Sequence, residues 1–180
     1  MQGHITGEQL LEMSSQLMGH VELIKGKIIQ MPPAGYAHGR LTHRLGLLLG
    51  KYVEMQHLGE MCGAETGFYT SRNPDTVRAP DAAFISKARI PAETYDGYLE
   101  TVPDLTIEVV SPRDRPQAIL DKVDECFAAG VKCIWVVYPK RRQVYVYTPG
   151  QPVEILGEGD TLTGGDVVPG FQCTVAQIFR

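Results

Sequence analysis

Two carboxylates and a lysine stand out as residues whose types and spacing could do chemistry. Asp81 follows Pro80 in one apolar stretch, Glu108 lies in the next, and Lys122 follows on a helical pattern. Mg²⁺ takes hard oxygen ligands and keeps several waters, so one or two carboxylates suffice and phosphate oxygens complete the shell. A nearby ammonium can orient or activate the attacking water, and the combination points to metal-assisted hydrolysis. Paired strands lie about 4.8 Å apart, so Asp81 and Glu108 can share one Mg²⁺ or Mn²⁺ ion if both side chains turn the same way. With no thiolate or clustered imidazole in the set, a hard divalent ion is favoured over zinc. A second Pro-Asp pair, Pro103-Asp104, competes for the ligand role. Asp104 and Glu108 fall on one strand face but about 13 Å apart, too far to grip one ion, so Asp104 reads as a strand-start aspartate in water.

Each candidate has a plainer reading. Asp81 can cap a turn or pair with Arg78, Glu108 can be a half-exposed edge residue, and Lys122 can be a solvated helix lysine. Against these, Pro80 removes a ladder donor in mid-strand, and buried carboxylates need partners. Lys122 sits about 60° from Ile119 round a helix, at the margin of the buried stripe. His38 shares an apolar helix face with Leu41 and Leu45, where a hydrogen-bonded core histidine is as good a reading as a catalytic one. His43 lies about 140° from it, which excludes a one-face zinc pair. Glu22, beside a hairpin turn, is a weaker candidate for a third acidic group, equally explained as an exposed hairpin glutamate. Arg113 and Arg115, close after Glu108, are placed to meet a backbone phosphate, ahead of the basic turn Lys140-Arg141-Arg142.

The elements that must position these residues follow from pattern. Thr6 and Gln9 form a capping box, with Leu10, Leu11, Leu17 and Met18 at helical spacing up to His20. Val21 to Ile24 and Lys27 to Met31 flank Lys25-Gly26 as a hairpin. Leu41, Leu45, Leu48, Leu49 and Tyr52 mark a longer helix. Strands are expected at Glu60 to Ala64, Gly67 to Thr70, Arg78 to Ile85 and Leu105 to Val110, with a surface loop over 86–102. Pro116 opens a helix with Ile119, Val123, Cys126 and Phe127 inward, ended by Gly130. Val131 to Tyr138 reads as a central strand covered on both faces, and Gln143 to Thr148 as its hairpin partner. The tail reads as short strands and turns.

The chain's 180 residues are 43% apolar, 21% charged and 8% aromatic, an ordinary globular composition. No repeat or linker interrupts it, so residues 1–180 read as one α/β (α+β) domain around a mixed sheet. Cys62, Cys126, Cys133 and Cys173 form no C-x-x-C pair and read as reduced core residues. The formal net charge of -4 provides no uniform positive field, so a polyanion would need a local basic patch. No apolar run reaches the length of a membrane span, and the N-terminus lacks the basic start of a signal peptide, so a cytoplasmic protein away from membranes is expected.

Several stretches together resemble the Uma-type restriction-endonuclease-like family of the PD-(D/E)XK nuclease superfamily. They are Glu22 to Lys27, Met31-Pro32-Pro33 with His38, Ala79 to Ile85, Pro103 to Pro112, Lys122 to Val131, Trp135 to Pro139, and Val168 to Phe171. The resemblance implies a restriction-endonuclease-like mixed sheet flanked by helices, a Mg²⁺-type site and phosphodiester hydrolysis. It implies Asp81 and Glu108 as metal ligands, Lys122 as the catalytic lysine, and a site-lining role for His38. The chain departs from the superfamily motif at Val110, where the lysine would stand, and from the family pattern at Tyr138 and Phe127. The expected partner is nucleic acid, DNA ahead of RNA, with a homodimer left open. The alternative is a non-catalytic nucleic-acid-binding or assembly module that keeps the fold.

Overall fold

In a computed structural model of the chain, the described residues are 4–13, 16–17, 19–93 and 96–180. Helix α1 spans Gly7–Met13, and its capping box forms as the sequence requires: Thr6 N donates to Gln9 Oε1 at 2.9 Å, and Gln9 N to Thr6 Oγ1 at 3.2 Å. It stops short of His20, and Met18 lies outside the described residues. The reason is competition from the sheet, because His20 already pairs with Met31 as the first residue of β1 (His20–Ile24). Strand β2 (Lys27–Met31) returns through Lys25 and Gly26, at φ 49° and 71°, the left-handed pair that a tight hairpin demands.

Helix α2 (Tyr36–Met55) leads to β3 (Gly59–Cys62), β4 (Phe68–Ser71) and β5 (Thr76–Arg78). The apolar run from Arg78 to Ile85 reads as one strand but is two. The chain leaves β5 at Arg78, passes through Ala79, Pro80 and Asp81, and enters β6 (Ala82–Ser86) in a different sheet. Pro80 stands at the switch, where its missing N–H costs no ladder bond. Strand β7 (Leu105–Val109) precedes α3 (Pro116–Ala129), with Pro at its start and Gly130 at φ 105° closing it. Strands β8 (Cys133–Tyr138) and β9 (Gln143–Tyr147) then form the expected hairpin, followed by β10 (Glu154–Leu156), β11 (Thr161–Thr163), β12 (Gln172–Thr174) and α4 (Val175–Phe179).

A small antiparallel sheet has the order β2-β1-β5-β4, and a six-stranded mixed sheet the order β10-β9-β8-β7-β6-β3. β7 and β8 are the parallel pair, joined by α3. Alternation along β7 sets the two sides. Leu105, Ile107 and Val109 pack in one core with Leu41, Leu45, Leu49 and Val53 of α2, side chains worth about 1.5–3 kcal/mol each when fully buried. Val123 and Cys126 of α3 pack with Ile134 and Val136 on the other face. Trp135 is fully buried and stacks on Phe171 of the tail. All four cysteines are free; Cys126, Cys133 and Cys173 are buried and Cys62 half-buried. No helix among the described residues is long and apolar enough to cross a membrane.

Asp104 corrects the sequence reading. It is not in water but 1% exposed. Its carboxylate accepts from Ser86 N at 2.8 Å and Arg89 Nη1 at 2.9 Å, and lies 2.7 Å from Lys132 Nζ. It therefore ties β6, the 3₁₀ turn Lys87–Arg89 and the start of β8 together at the end of β7 away from Glu108. Burial opposes its charged form, but Lys132, the Ser86 N–H and Arg89 outweigh burial and hold the carboxyl well below the usual range. We expect Asp104→Asn to cost about 1–3 kcal/mol at pH 7. Because the folded value is depressed, this contribution is present above the unfolded value near pH 4 and lost as pH falls through the folded one. Urea unfolding from pH 7 downward should show the gap between wild type and variant narrowing; a constant gap would contradict the assignment.

Candidate active site

The sequence candidates gather where β6 begins and β7 ends. Ala82 pairs with Ile107, so Asp81 lies one step beyond the ladder, opposite Glu108. The bend after Pro80 lets the Asp81 carboxylate turn back on the strand end, where Oδ2 accepts from Val109 N at 2.7 Å. His38, in the first turns of α2, brings Nε2 to 3.1 Å from the same oxygen. That contact raises the His38 pKa, with burial acting against it. Arg78 is not the partner of Asp81.

Glu108 points from β7 to the α3 side, where Lys122 Nζ lies 2.7 Å from its Oε1. β7 is an interior strand, so Glu108 is not the edge residue of its plainer reading. Burial pushes the Glu108 carboxyl up to about 7; Lys122 pulls against this, while the negative charges of Asp81 and Glu22 add to it. Lys122 itself is shifted upward, because Glu108 and Glu22 outweigh the burial that disfavours its charge.

Glu22 is the residue most underread from sequence. It is 3% exposed rather than a solvated hairpin glutamate. Oε1 accepts from Lys122 Nζ at 3.0 Å and Ala79 N at 3.1 Å, and Oε2 from Arg78 Nη1 at 2.8 Å. Burial works against its charge, yet Lys122 and Arg78 hold it down to about 2. Arg78 turns its remaining edge on Glu125 of α3, with Nε to Oε1 at 2.8 Å and Nη2 to Oε2 at 2.7 Å. Thr70 Oγ1 also donates to Glu125 Oε1, at 2.8 Å. Arg78 entered the sequence reading only as a plain partner for Asp81, and Glu125 not at all; the available signal was Glu125 standing one helical turn after Lys122.

The other basic candidates stay apart from this network. Arg113 and Arg115 are exposed on the connection from β7 to α3, and Lys140, Arg141 and Arg142 on the turn from β8 to β9. Val109 is in register with Val137, so both segments leave the same end of the sheet, beside the carboxylates. Arg142 is committed to Glu158, and Arg141 Nη1 donates to Tyr145 Oη at 2.8 Å.

The sequence pattern of the Uma2 family, described as "Putative restriction endonuclease", matches residues 8–176. The chain belongs to this family. The fold of the Uma2 chain is also that of a crystal structure titled as a "putative nuclease belonging to DUF820" from Anabaena variabilis. The TM-score is 0.77 at 22% identity, over 94% of this chain and 96% of that one. No curated protein matches the chain.

The network makes Glu22 a testable keystone. Removing one member of a buried ion cluster leaves uncompensated charge, and Glu22→Ala should cost about 3–5 kcal/mol in chemical denaturation at pH 7. A double-mutant cycle with Arg78→Ala should return a coupling of about 1–3 kcal/mol; additivity would show that the two side chains do not act on each other.

Proposed function

We propose that this Uma2 protein is a metal-dependent endonuclease that hydrolyses phosphodiester bonds in DNA, with Asp81 and Glu108 as ligands of a Mg²⁺ or Mn²⁺ ion and Lys122 as the catalytic lysine. The observation that carries this reading is convergence. Asp81 stands one step beyond the Ala82–Ile107 pair, opposite Glu108, and Lys122 Nζ lies 2.7 Å from Glu108 Oε1. Two carboxylates and an ammonium from three separate elements thus meet at one end of the sheet. Burial is the main cause of the upward push on Glu108, and the negative charges of Asp81 and Glu22 that add to it are of the sign that favours a cation. No group of three or more His, Cys, Asp or Glu able to hold a metal is gathered among the described residues; two carboxylates with water and phosphate is the sparse shell that Mg²⁺ accepts.

When bound, the ion would polarise the phosphoryl oxygen and lower the pKa of its water. The residues supply the rest. Glu22 and Glu108 hold the Lys122 ammonium in place, where its charge offsets the negative charge that builds on the phosphate. His38, through Nε2, fixes the orientation of Asp81 and acts as a positioning residue. Arg113, Arg115 and Lys140 offer exposed positive charge at the same sheet end for a nucleic-acid backbone, the local patch that an acidic chain needs.

Single-turnover cleavage of supercoiled DNA with Mn²⁺, with Mg²⁺ and with chelator tests the reading. Asp81→Asn, Glu108→Gln and Lys122→Ala should each lower the rate about 100-fold or more. Lys122→Arg should also fail, because a broad guanidinium does not replace a compact ammonium. Equal rates in all variants would place the activity elsewhere, and no cleavage by wild type on any substrate would leave the non-catalytic module.

The Glu108 carboxyl near 7 gives a second test. Ligation requires the deprotonated form, so Mn²⁺ affinity in calorimetry should fall about tenfold per pH unit below 7 and level off above it. Asp81→Ala should abolish binding, and a pH-independent affinity would remove Glu108 from the ligand set.

A further inference from the structure

The segment from β2 to the start of α2 is pinned to the candidate site at both ends. At one end Ile29 is the cross-strand partner of Glu22, whose Oε1 accepts from Lys122 Nζ at 3.0 Å. Directly opposed residues share a sheet face, with Cβ atoms about 5 Å apart. At the other end His38 Nε2 lies 3.1 Å from Asp81 Oδ2. Residues 30–37 therefore run along the rim of the site.

That rim is apolar where a merely solvated one would be polar. Val21, Leu23 and Ile28 turn to the other face of the hairpin and pack with Leu10 of α1, so the core of the small sheet is built without Ile29 and Met31. On the Glu22 face, Ile29 is 41% exposed and Met31 half-buried. Every residue from Pro32 to Ala37 is exposed. Tyr36, which opens α2, is 86% exposed, the barest large apolar side chain among the described residues. Helix side chains lean towards the N-terminus, so Tyr36 projects past the end of α2 that His38 holds at Asp81. Single exposed apolar residues are ordinary, but a run of them along a cleft marks a contact surface.

The charges nearby decide what that surface meets. The formal net charge is -4, Arg142 is committed to Glu158, and Arg141 Nη1 donates to Tyr145 Oη at 2.8 Å. Arg113, Arg115 and Lys140 remain at this sheet end to meet phosphates. A duplex offers its binder mainly phosphates and hides its base faces, whereas an unpaired strand offers phosphates and apolar base faces together. A thin basic patch beside an apolar rim fits the unpaired strand. We infer that the rim takes unpaired bases, with Tyr36 stacking on one and Ile29 packing against another on the Lys122 side, so that the strand held at the site is single-stranded or locally opened DNA. The inference rests on the nuclease reading for the presence of DNA and adds the form in which that DNA is bound.

Tyr36 is so exposed that Tyr36→Ala should melt as wild type does, and a loss of binding is then local. Fluorescence anisotropy reads the binding of a labelled DNA oligonucleotide, as a single strand and as its duplex, with Ca²⁺ replacing Mg²⁺ to avoid cleavage. The single strand should bind about tenfold more tightly than the duplex, and Tyr36→Ala should weaken it about tenfold while Tyr36→Phe keeps it, as the loss of one stacked base requires. Ile29→Ala should weaken it several-fold. A duplex bound as tightly as the single strand, or a single strand indifferent to Tyr36→Ala, overturns the inference. So does sedimentation that shows a dimer split by Tyr36→Ala, since a second copy of the chain would then cover the rim. Cleavage is read separately under Mg²⁺. A wild type that grips single strands through Tyr36 and cuts no DNA would sink the nuclease reading and keep the rim; cleavage at rates blind to Tyr36→Ala and to base pairing would do the reverse.

Discussion

The arrangement depends on one carboxylate shared between two cations. Glu22 belongs to the small sheet, yet it holds Lys122 of α3 on one oxygen and Arg78 of β5 on the other. The oxygen that takes Lys122 also takes the Ala79 N–H, two residues before Asp81. A single buried side chain therefore sets the backbone just ahead of one candidate ligand and the ammonium beside the other. Buried ion clusters of this kind add little net stability over a well-packed apolar core, because desolvation offsets the attraction. What they provide is geometry, since any displacement of Lys122 or Arg78 exposes an unpaired charge in a poorly solvated place.

That geometry is needed because the chain changes sheets at this point. β5 pairs with β1 and β4, whereas β6 pairs with β3 and β7. The residues between them have no ladder to fix them and must be held by side chains. Pro80 tolerates the gap, and Asp81 anchors it by accepting the Val109 N–H. The bend leaves the Asp81 carboxylate part-buried at the sheet end, the end from which the segment carrying the exposed Arg113 and Arg115 leaves β7. Arg78 completes the brace, because its double contact with Glu125 locks the small sheet against the helix that carries Lys122.

Local chemistry made much of the fold legible. The Lys25-Gly26 turn, Pro116 and Gly130 at the ends of α3, and the apolar run of β8 are signals contained in a few neighbouring residues. The misreadings share a cause in long-range pairing. The first helix was extended towards His20 by apolar spacing, but His20 is claimed by Met31. The strand from Arg78 to Ile85 was continuous in hydrophobicity, and only its pairing partners divide it. Asp104 and Glu22 looked solvated because their cations lie far away in sequence: Arg89 and Lys132 for the first, Arg78 and Lys122 for the second. Helical phase placed Lys122 only at the margin of the buried stripe, and the family resemblance supplied its role.

The absence of lysine two positions after Glu108 has a packing explanation. In a strand, residues i and i+2 share a face, so a lysine at position 110 would project to the α3 side alongside Glu108. Here Val110 packs there with Ile119 and Phe127 in the apolar layer beneath α3, and an ammonium in that layer would lack the acceptors its charge requires. Lys122 approaches from the helix above, and its ammonium meets Glu108 at 2.7 Å with Glu22 as a second acceptor at 3.0 Å. The helix origin thus resolves a conflict between covering the sheet and keeping a cation beside the carboxylate. A reaction senses the position of the charge rather than the chain segment that delivers it, so the substitution at Val110 removes a motif while leaving an ammonium at the candidate site.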